Sequence, residues 1–287
     1  MRILFCTDGT KISFNALKNF SRWVKNVIVD TICIIDWSFL PEDVNVETEG
    51  FAASCANIAD NILNYADDVL LRSGFIAGEK IKHCGNAVEN IIERINCQKY
   101  DFVVMGSHGK KGLQKWLGSV SSNVTDNNPA SSYISKHPNK GEKLLITLDD
   151  LKETAEVIEK YLPLLDLKDK EIYLCTVNED PDFLFLEGNI DTNMLIQIQK
   201  NQEKYAQKIL NRLKSFLQNS GLNVMEADIL TGIPATEILN YAKAHEIDLI
   251  IIGARNKTKT VSFFTGSVSR KVLESTSSDV MILKNNI

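Results

Sequence analysis

The sequence predicts an α/β protein made of two repeated, doubly wound domains, each a five-stranded parallel sheet flanked by helices. Three observations predict it. The chain is written twice: RILFCTDGTKISFNALKNF at the start has a counterpart in KLLITLDDLKETAEVIEKYL (Lys143 to Leu162), and Asp8 falls on Asp149. Short β-branched runs alternate with helical patterns, the order that gives parallel strands joined by right-handed crossovers. Each half also ends a strand-like run in a glycine loop, GSHGKKGLQKWLGS (Gly106 to Ser119) in the first and GARNKTKTVSFFTGS (Gly253 to Ser267) in the second.

The elements follow in order. Each opening run ends in an aspartate and leads into a helical pattern. The second strands are VIVDTICIIDW (Val27 to Trp37) and EIYLCTVNED (Glu171 to Asp180). Each is followed by a long helix with apolar residues at three-and-four spacing, closed by Ser-Gly, a good C-terminal stop. KHCGNAVENIIERINCQKYDFVVMGSHG then faces ILTGIPATEILNYAKAHEIDLIIIGARN, with Gly85, Asp101 and Gly106 on Gly232, Asp248 and Gly253 at one constant offset. The last strands are SSYISK (Ser131 to Lys136) and DVMILK (Asp279 to Lys284); the second has the composition of a buried strand and the first is more polar. SKHPNKGEK (Ser135 to Lys143), with Pro138 and Gly141, reads as the linker between domains at 1–138 and 142–287.

Composition bounds the function. The chain has 287 residues, 44% hydrophobic and 24% charged, the balance of a soluble globular protein. Its net charge of -5 argues against nonspecific binding to nucleic acid or anionic membranes, and no apolar run approaches a membrane span. MRILFCTDGT does not read as a signal peptide, so a cytoplasmic location is expected. The six cysteines form no CxxC pair and read as reduced structural thiols, with a disulfide framework or a redox sensor as alternatives.

Glycines where a parallel strand ends allow a ligand to approach backbone N–H groups, and a following helix favours an anion. Ser119, Lys110 and Lys111 add a hydroxyl and charge. Tight turns alone explain the glycines equally well, and neither GxxxxGK[ST] nor GxGxxG is present. Asp8 suits a ribose hydroxyl or a base amine, but taken alone it suits a helix N-cap better. His108 fits both a phosphate contact and a plain loop position. Trp116, Phe263 and Phe264 fit loop packing better than base stacking. His83 and Cys84 have no metal-ligand partner at a telling spacing. No nucleophile–base pair or carboxylate dyad points to efficient catalysis.

Taken together, these residues resemble the universal stress protein family in its tandem form: an aspartate after the first strand, Gly-x-Pro before the penultimate helix, and G-x2-G-x9-G-[ST] after the fourth strand. The resemblance implies a fold related to the adenine-nucleotide-binding, Rossmann-like α/β proteins (the adenine nucleotide alpha-hydrolase-like class). It also implies ATP binding, with magnesium as an accompanying ion and at most slow hydrolysis. It places adenosine at Asp8 and Ile34, ribose and phosphate at Gly106 and Gly109, and phosphates at Gly118, Ser119 and Val120. In the second half the matching positions are Asp149, Thr176, Gly253, Gly266, Ser267 and Val268. Both halves depart from the pattern. The first is one residue short between Gly109 and Gly118 and has Ala87 where the second has Pro234; the second has Asn256 for the middle glycine. The first half is favoured as the site, and binding in the second is not exclusive of it. The alternative is an interaction scaffold with degenerate loops. The resemblance also implies pairing through the last strands, giving an intramolecular pseudo-dimer, with further homodimerisation left open.

Overall fold

The computed structural model describes residues 1–36, 49–107, 117–148, 151–179, 192–253 and 266–284. Half one runs β1 (Arg2–Thr7), α1 (Lys11–Phe20), β2 (Ile28–Ile35), α2 (Glu49–Arg72), β3 (Ile76–Cys84), α3 (Ala87–Cys97), β4 (Phe102–Gly106), α4 (Ser119–Asn127) and β5 (Ser131–Ser135). Half two repeats it as β6 (Lys143–Leu148), α5 (Leu151–Tyr161), β7 (Glu171–Asn178), α6 (Thr192–Asn219), β8 (Asn223–Thr231), α7 (Pro234–Ala244), β9 (Leu249–Gly253), α8 (Ser267–Ser275) and β10 (Asp279–Leu283). A short 3-10 turn, Leu162–Leu164, follows α5.

The strands form one ten-stranded sheet in the order β3-β2-β1-β4-β5-β10-β9-β6-β7-β8. Pairing is parallel within each half and antiparallel only where β5 meets β10. The order of connection reverses between β1 and β4, and between β6 and β9. In open α/β sheets such a switch point leaves a crevice at the carboxyl ends of the strands.

The central strands are buried on both faces, which is why they read as continuous apolar runs. In β1, Ile3 and Phe5 enter one core layer while Leu4 and Cys6 enter the other. Each layer runs through both halves: Tyr133 and Met281 share the first, Ile134 and Val280 the second. Local chemistry sets the helix ends. Thr10 caps α1 by accepting from Ser13 N at 3.3 Å, and Asn86 caps α3 by accepting from Val88 N at 3.0 Å. The Ser-Gly stops form as expected: Gly74 and Gly221 sit at φ 74° and 77°, and Phe75 N and Leu222 N reach back to Leu70 O and Leu217 O.

The polar strand β5 pairs fully with β10, with Tyr133 opposite Met281 and Ile134 opposite Val280. Its serines are satisfied from a distance. Ser131 Oγ donates to Tyr161 Oη at 2.7 Å and accepts from Lys284 N at 3.0 Å, and Ser135 Oγ accepts from Asn19 Nδ2 at 3.0 Å. Asp279, fully buried at the start of β10, accepts from Tyr133 Oη, Lys136 N, Asn139 Nδ2 and Asn19 Nδ2 at 2.6–3.0 Å. Two lysines then cross the junction reciprocally. Lys136, after β5, donates to Leu273 O in the last turn of α8; Lys284, after β10, donates to Thr125 O and Asn128 O at the end of α4. A cation at the carboxyl terminus of a helix satisfies orphan carbonyls and complements the dipole. Arg270 of α8 also pairs with Asp126 of α4. The connection between the halves is held as well, since Lys140 N, Glu142 N and Lys143 N donate to Asp248.

Candidate functional site

In half one the switch point brings together Asp8, Gly106, Gly118, Ser119, Val120 and Ile34. Asp8 is not the cap of α1. Thr10 is, and Asp8 Oδ1 holds it by accepting from Thr10 N at 3.0 Å and Thr10 Oγ1 at 2.6 Å. Among the described residues Asp8 Oδ2 has no hydrogen-bond partner. Gly106 has a packing reason to be glycine: a Cβ there would lie 3.0 Å from Ile12 Cγ2 and 3.2 Å from Ser13 N, so any side chain would push α1 off the sheet. Gly118 caps α4 with no side-chain bond and donates to Ser107 O at 2.6 Å, while Ser121 Oγ donates to Gly106 O at 2.7 Å. These bonds fix the amino terminus of α4 against the tip of β4. Ser119 is exposed and Val120 half-buried. Ile34 packs in the core layer that holds Leu4, Cys6 and Ile91.

In half two a small open cleft, enclosing about 30 Å³, lies at the carboxyl ends of β6 and β7. Thr147 and Leu148 of β6 line it, with Cys175, Thr176 and Val177 of β7, Glu179 just beyond, Pro234 and Ile238 of α7, and Val268 of α8. Thr176 Oγ1 donates to Leu148 O at 2.6 Å and locks the two strand tips together. Gly266 caps α8 without a side-chain bond, and Ser269 Oγ donates to Gly266 O at 2.9 Å. The first intrahelical amide bond of α8 is Arg270 N to Gly266 O at 3.0 Å. The N–H groups of Ser267, Val268 and Ser269 precede it, which leaves them for a ligand or solvent. Burial pushes the Cys175 thiol up to about 12, so it is no thiolate nucleophile. Among the described residues no group of three or more His, Cys, Asp and Glu is placed to hold a metal ion. Nor is any helix there long and apolar enough to cross a membrane.

The register corrects one expected correspondence. Thr7 pairs with Cys33, and Leu148 pairs with Thr176. Since Asp149 follows Leu148 as Asp8 follows Thr7, Thr176 corresponds to Cys33, and Ile34 corresponds to Val177. A shift of one residue moves a side chain to the other face of a sheet. Ile34 and Val177 therefore share the α3/α4 and α7/α8 face, together with Ile32 and Cys175. The smaller Cys175 and Val177, in place of Ile32 and Ile34, leave room at the tip of β7. Neither residue, nor Glu179, stands out in the sequence, because their placement depends on the register. Gly109, His108, Lys110, Lys111, Trp116, Asp149, Asn256, Phe263 and Phe264 lie outside the described residues.

Two repeats of a doubly wound sheet, each with a glycine-capped helix at its switch point, define a doubly wound α/β protein in tandem form. The model of the universal stress protein family matches residues 1–131 and again 141–284, and the chain belongs to that family. It is similar to universal stress protein MJ0577 of Methanocaldococcus jannaschii, 27% identical over 154 residues that cover 50% of this chain and 94% of that one. Universal stress protein MJ0531 of the same organism is 24% identical, covering 54% of this chain and 88% of that one. Each of these relatives corresponds to about half of the chain. A universal stress protein structure from Archaeoglobus fulgidus matches 99% of this chain and 96% of its own at 20% identity, with a TM-score of 0.67, which shows the shared tandem fold.

Proposed function

We propose that the chain binds an adenine nucleotide such as ATP in half two, with the base in the cleft between β6, β7, α7 and α8 and the phosphates at the amino terminus of α8. The cleft carries this reading. It opens at the strand tips beside the switch point, and a helix end with no side-chain cap borders it. Val177, Pro234, Ile238 and Val268 offer apolar walls to a flat ring. The amides of Ser267, Val268 and Ser269 offer donors to an anion, and the dipole of α8 favours it. The middle glycine, kept as Gly109 and replaced by Asn256, favours half one, but the side chains at the strand tips favour half two. Magnesium accompanies the phosphates in this reading, which asks for binding and at most slow hydrolysis in a cytoplasmic stress-response protein. In the same reading, the β5–β10 pairing makes the chain an intramolecular pseudo-dimer.

The test is to denature freshly purified protein and identify released nucleotide by chromatography and mass spectrometry. Where none is carried along, ATP and magnesium are added and the heat-stability gain is measured. The expected result is about one adenine nucleotide per chain, lost in Asp149→Ala and kept in Asp8→Ala. Loss in Asp8→Ala alone moves the site to half one. No nucleotide and no stability gain at millimolar ATP overturns the reading, and the scaffold alternative then leads.

A further inference from the structure

We infer that His245 is a pH-dependent clamp on β8, the outermost strand of half two, and that half one carries a permanent version of the same clamp. Each end of the ten-stranded sheet is a strand with one neighbour, β3 on β2 and β8 on β7. Each carries a glutamate at the same point: Glu79 and Glu226 stand at the offset that takes Gly85 to Gly232. A strand held by one ladder opens more easily than a central one. What these glutamates bind therefore decides how firmly each edge stays closed. In β3 the partner is an arginine. Arg94 of α3 donates from Nη2 to Glu79 Oε2 at 2.5 Å and to the buried Asp30 at 3.2 Å. A guanidinium keeps its charge at any pH the fold meets. Where half one has Arg94, half two has Tyr241, and the cation comes instead from His245, just past the end of α7.

The ring of His245 faces an acceptor on each side. Nδ1 lies 2.9 Å from Tyr241 O, and Nε2 lies 3.2 Å from Glu226 Oε2. A neutral imidazole has one N–H and completes one of these bonds; only the imidazolium completes both. The ring stacks on Tyr241 with centroids 4.1 Å apart and tilts against Tyr173 at 5.0 Å, which holds it in this orientation. The carboxyl end of α7 favours a positive charge there. The neighbouring groups leave the switch to the ring. On β8, Asp228 accepts from Tyr241 Oη at 2.7 Å, and on β7, Tyr173 Oη donates to Glu171 at 3.3 Å. Burial holds both phenols above their usual values, so they stay neutral donors. Lys143 of β6 donates from Nζ to His245 O at 3.1 Å and is the opposing charge, with Glu246 at 3.9 Å to offset it. Lys243 lies on the exposed side of α7. A histidine changes charge between about pH 5 and 8. The clamp on β8 closes as pH falls through that range and loosens as pH rises, while the arginine clamp on β3 does not respond.

The experiment is hydrogen–deuterium exchange of the full chain at about pH 5.5 and 8, with rates corrected for the intrinsic effect of pH and peptides from β3 and β8 compared. The expected result is that β8 loses about fivefold in protection between the two pH values while β3 keeps its own. His83, on β3, is exposed and has no hydrogen-bond partner among the described residues, so it adds no clamp there. In His245→Gln, β8 should exchange at the faster rate at both pH values, and the melting temperature at the higher pH should match that of the unsubstituted protein. Glu226→Gln should flatten the response while the ring still titrates, which nitrogen NMR of labelled histidine follows. A β8 response that survives in His245→Gln overturns the proposal. So does an equal response in β3, or a His245 ring that is still neutral at the lower pH.

Discussion

At the tip of its second strand, half one sets Ile32 and Ile34 against α3 and α4. Half two sets Cys175 and Val177 against α7 and α8. The strands there pair in the same register, and the strand order is the same. The difference is a few methylenes on one face of one strand, and it lies beside an open cleft. At the junction the halves behave in the opposite way. Lys136 and Lys284 reach across to equivalent helix ends, so a shared task keeps the two copies alike. The comparison teaches that a repeated fold can hold its interface symmetrical while the side chains at its two switch points drift apart.

The strongest way to break the comparison is at the junction, where symmetry fails in one place. Asp279 occupies the position that Ser131 holds in half one, each at the start of its last strand. Asp279 receives four donors from α1, β5 and the connection. Removing it leaves those donors buried without an acceptor. Asp279→Ala is expected to cost about 4 kcal/mol and Ser131→Ala about 1 kcal/mol. Urea unfolding of both variants checks this, and equal losses would mean that the junction is symmetrical in energy as well as in shape.

The next test exchanges the strand tips. Cys175→Ile with Val177→Ile gives half two the residues that half one already accommodates, so the fold should persist. The added methylenes fill the cleft, and ATP affinity measured by calorimetry should fall roughly 30-fold or more, about 2 kcal/mol. The reciprocal change, Ile32→Cys with Ile34→Val, should leave that affinity unchanged. If it abolishes binding instead, the site belongs to half one.

Much of the fold was legible in the sequence, and the reason is physical. Strands buried on both faces must be apolar throughout, so β1, β4, β6 and β9 declare themselves. The helix stops at Gly74 and Gly221 are local, so Ser-Gly predicts them. β5 was less legible because Tyr161, Asn19 and Lys284, which satisfy its serines, are far away in sequence. The site was less legible still. The two halves differ by two residues between the first and second strands where the matching of Ile34 to Thr176 allows for one, and period-two alternation turns that one-residue slip into the wrong face for Thr176. The Cys175 and Val177 pair carries no motif, because space is a property of what surrounds a side chain.

The junction lysines offer a test by pH. Burial lowers both Lys136 and Lys284 to about 8, from 10.5 in an unfolded chain. Below about pH 8 both are charged in either state, and the folded protein bears the full cost of burying them. Between pH 8 and 10.5 the unfolded chain holds more protons, so stability rises with pH. From pH 8 to 9.5 the gain is expected to be about 1–2 kcal/mol per lysine. Above pH 10 buried tyrosines such as Tyr161, whose values are raised by burial, reverse the trend. Lys136→Met and Lys284→Met should each remove a similar share of the gain. A gain lost entirely with one of them would show that the two crossings are not equivalent.

The smallest effect separates two glycines that one motif treats alike. Gly106 and Gly266 both belong to the glycine pattern of their loops. A Cβ on Gly106 meets Ile12 and the backbone of Ser13 at 3.0–3.3 Å, against the first turn of α1. Backbone cannot swing aside as a side chain can, so Gly106→Ala should cost about 1 kcal/mol or more. A Cβ on Gly266 meets only Ser269 Oγ at 3.7 Å, an ordinary contact, and its φ of -62° suits any residue. Gly266→Ala should therefore change the melting temperature hardly at all. If it nevertheless weakens ATP binding, the bareness of Gly266 serves the approach of phosphate and not the fold. Gly106 would then be the reverse case, a motif glycine kept for the helix that lies on it.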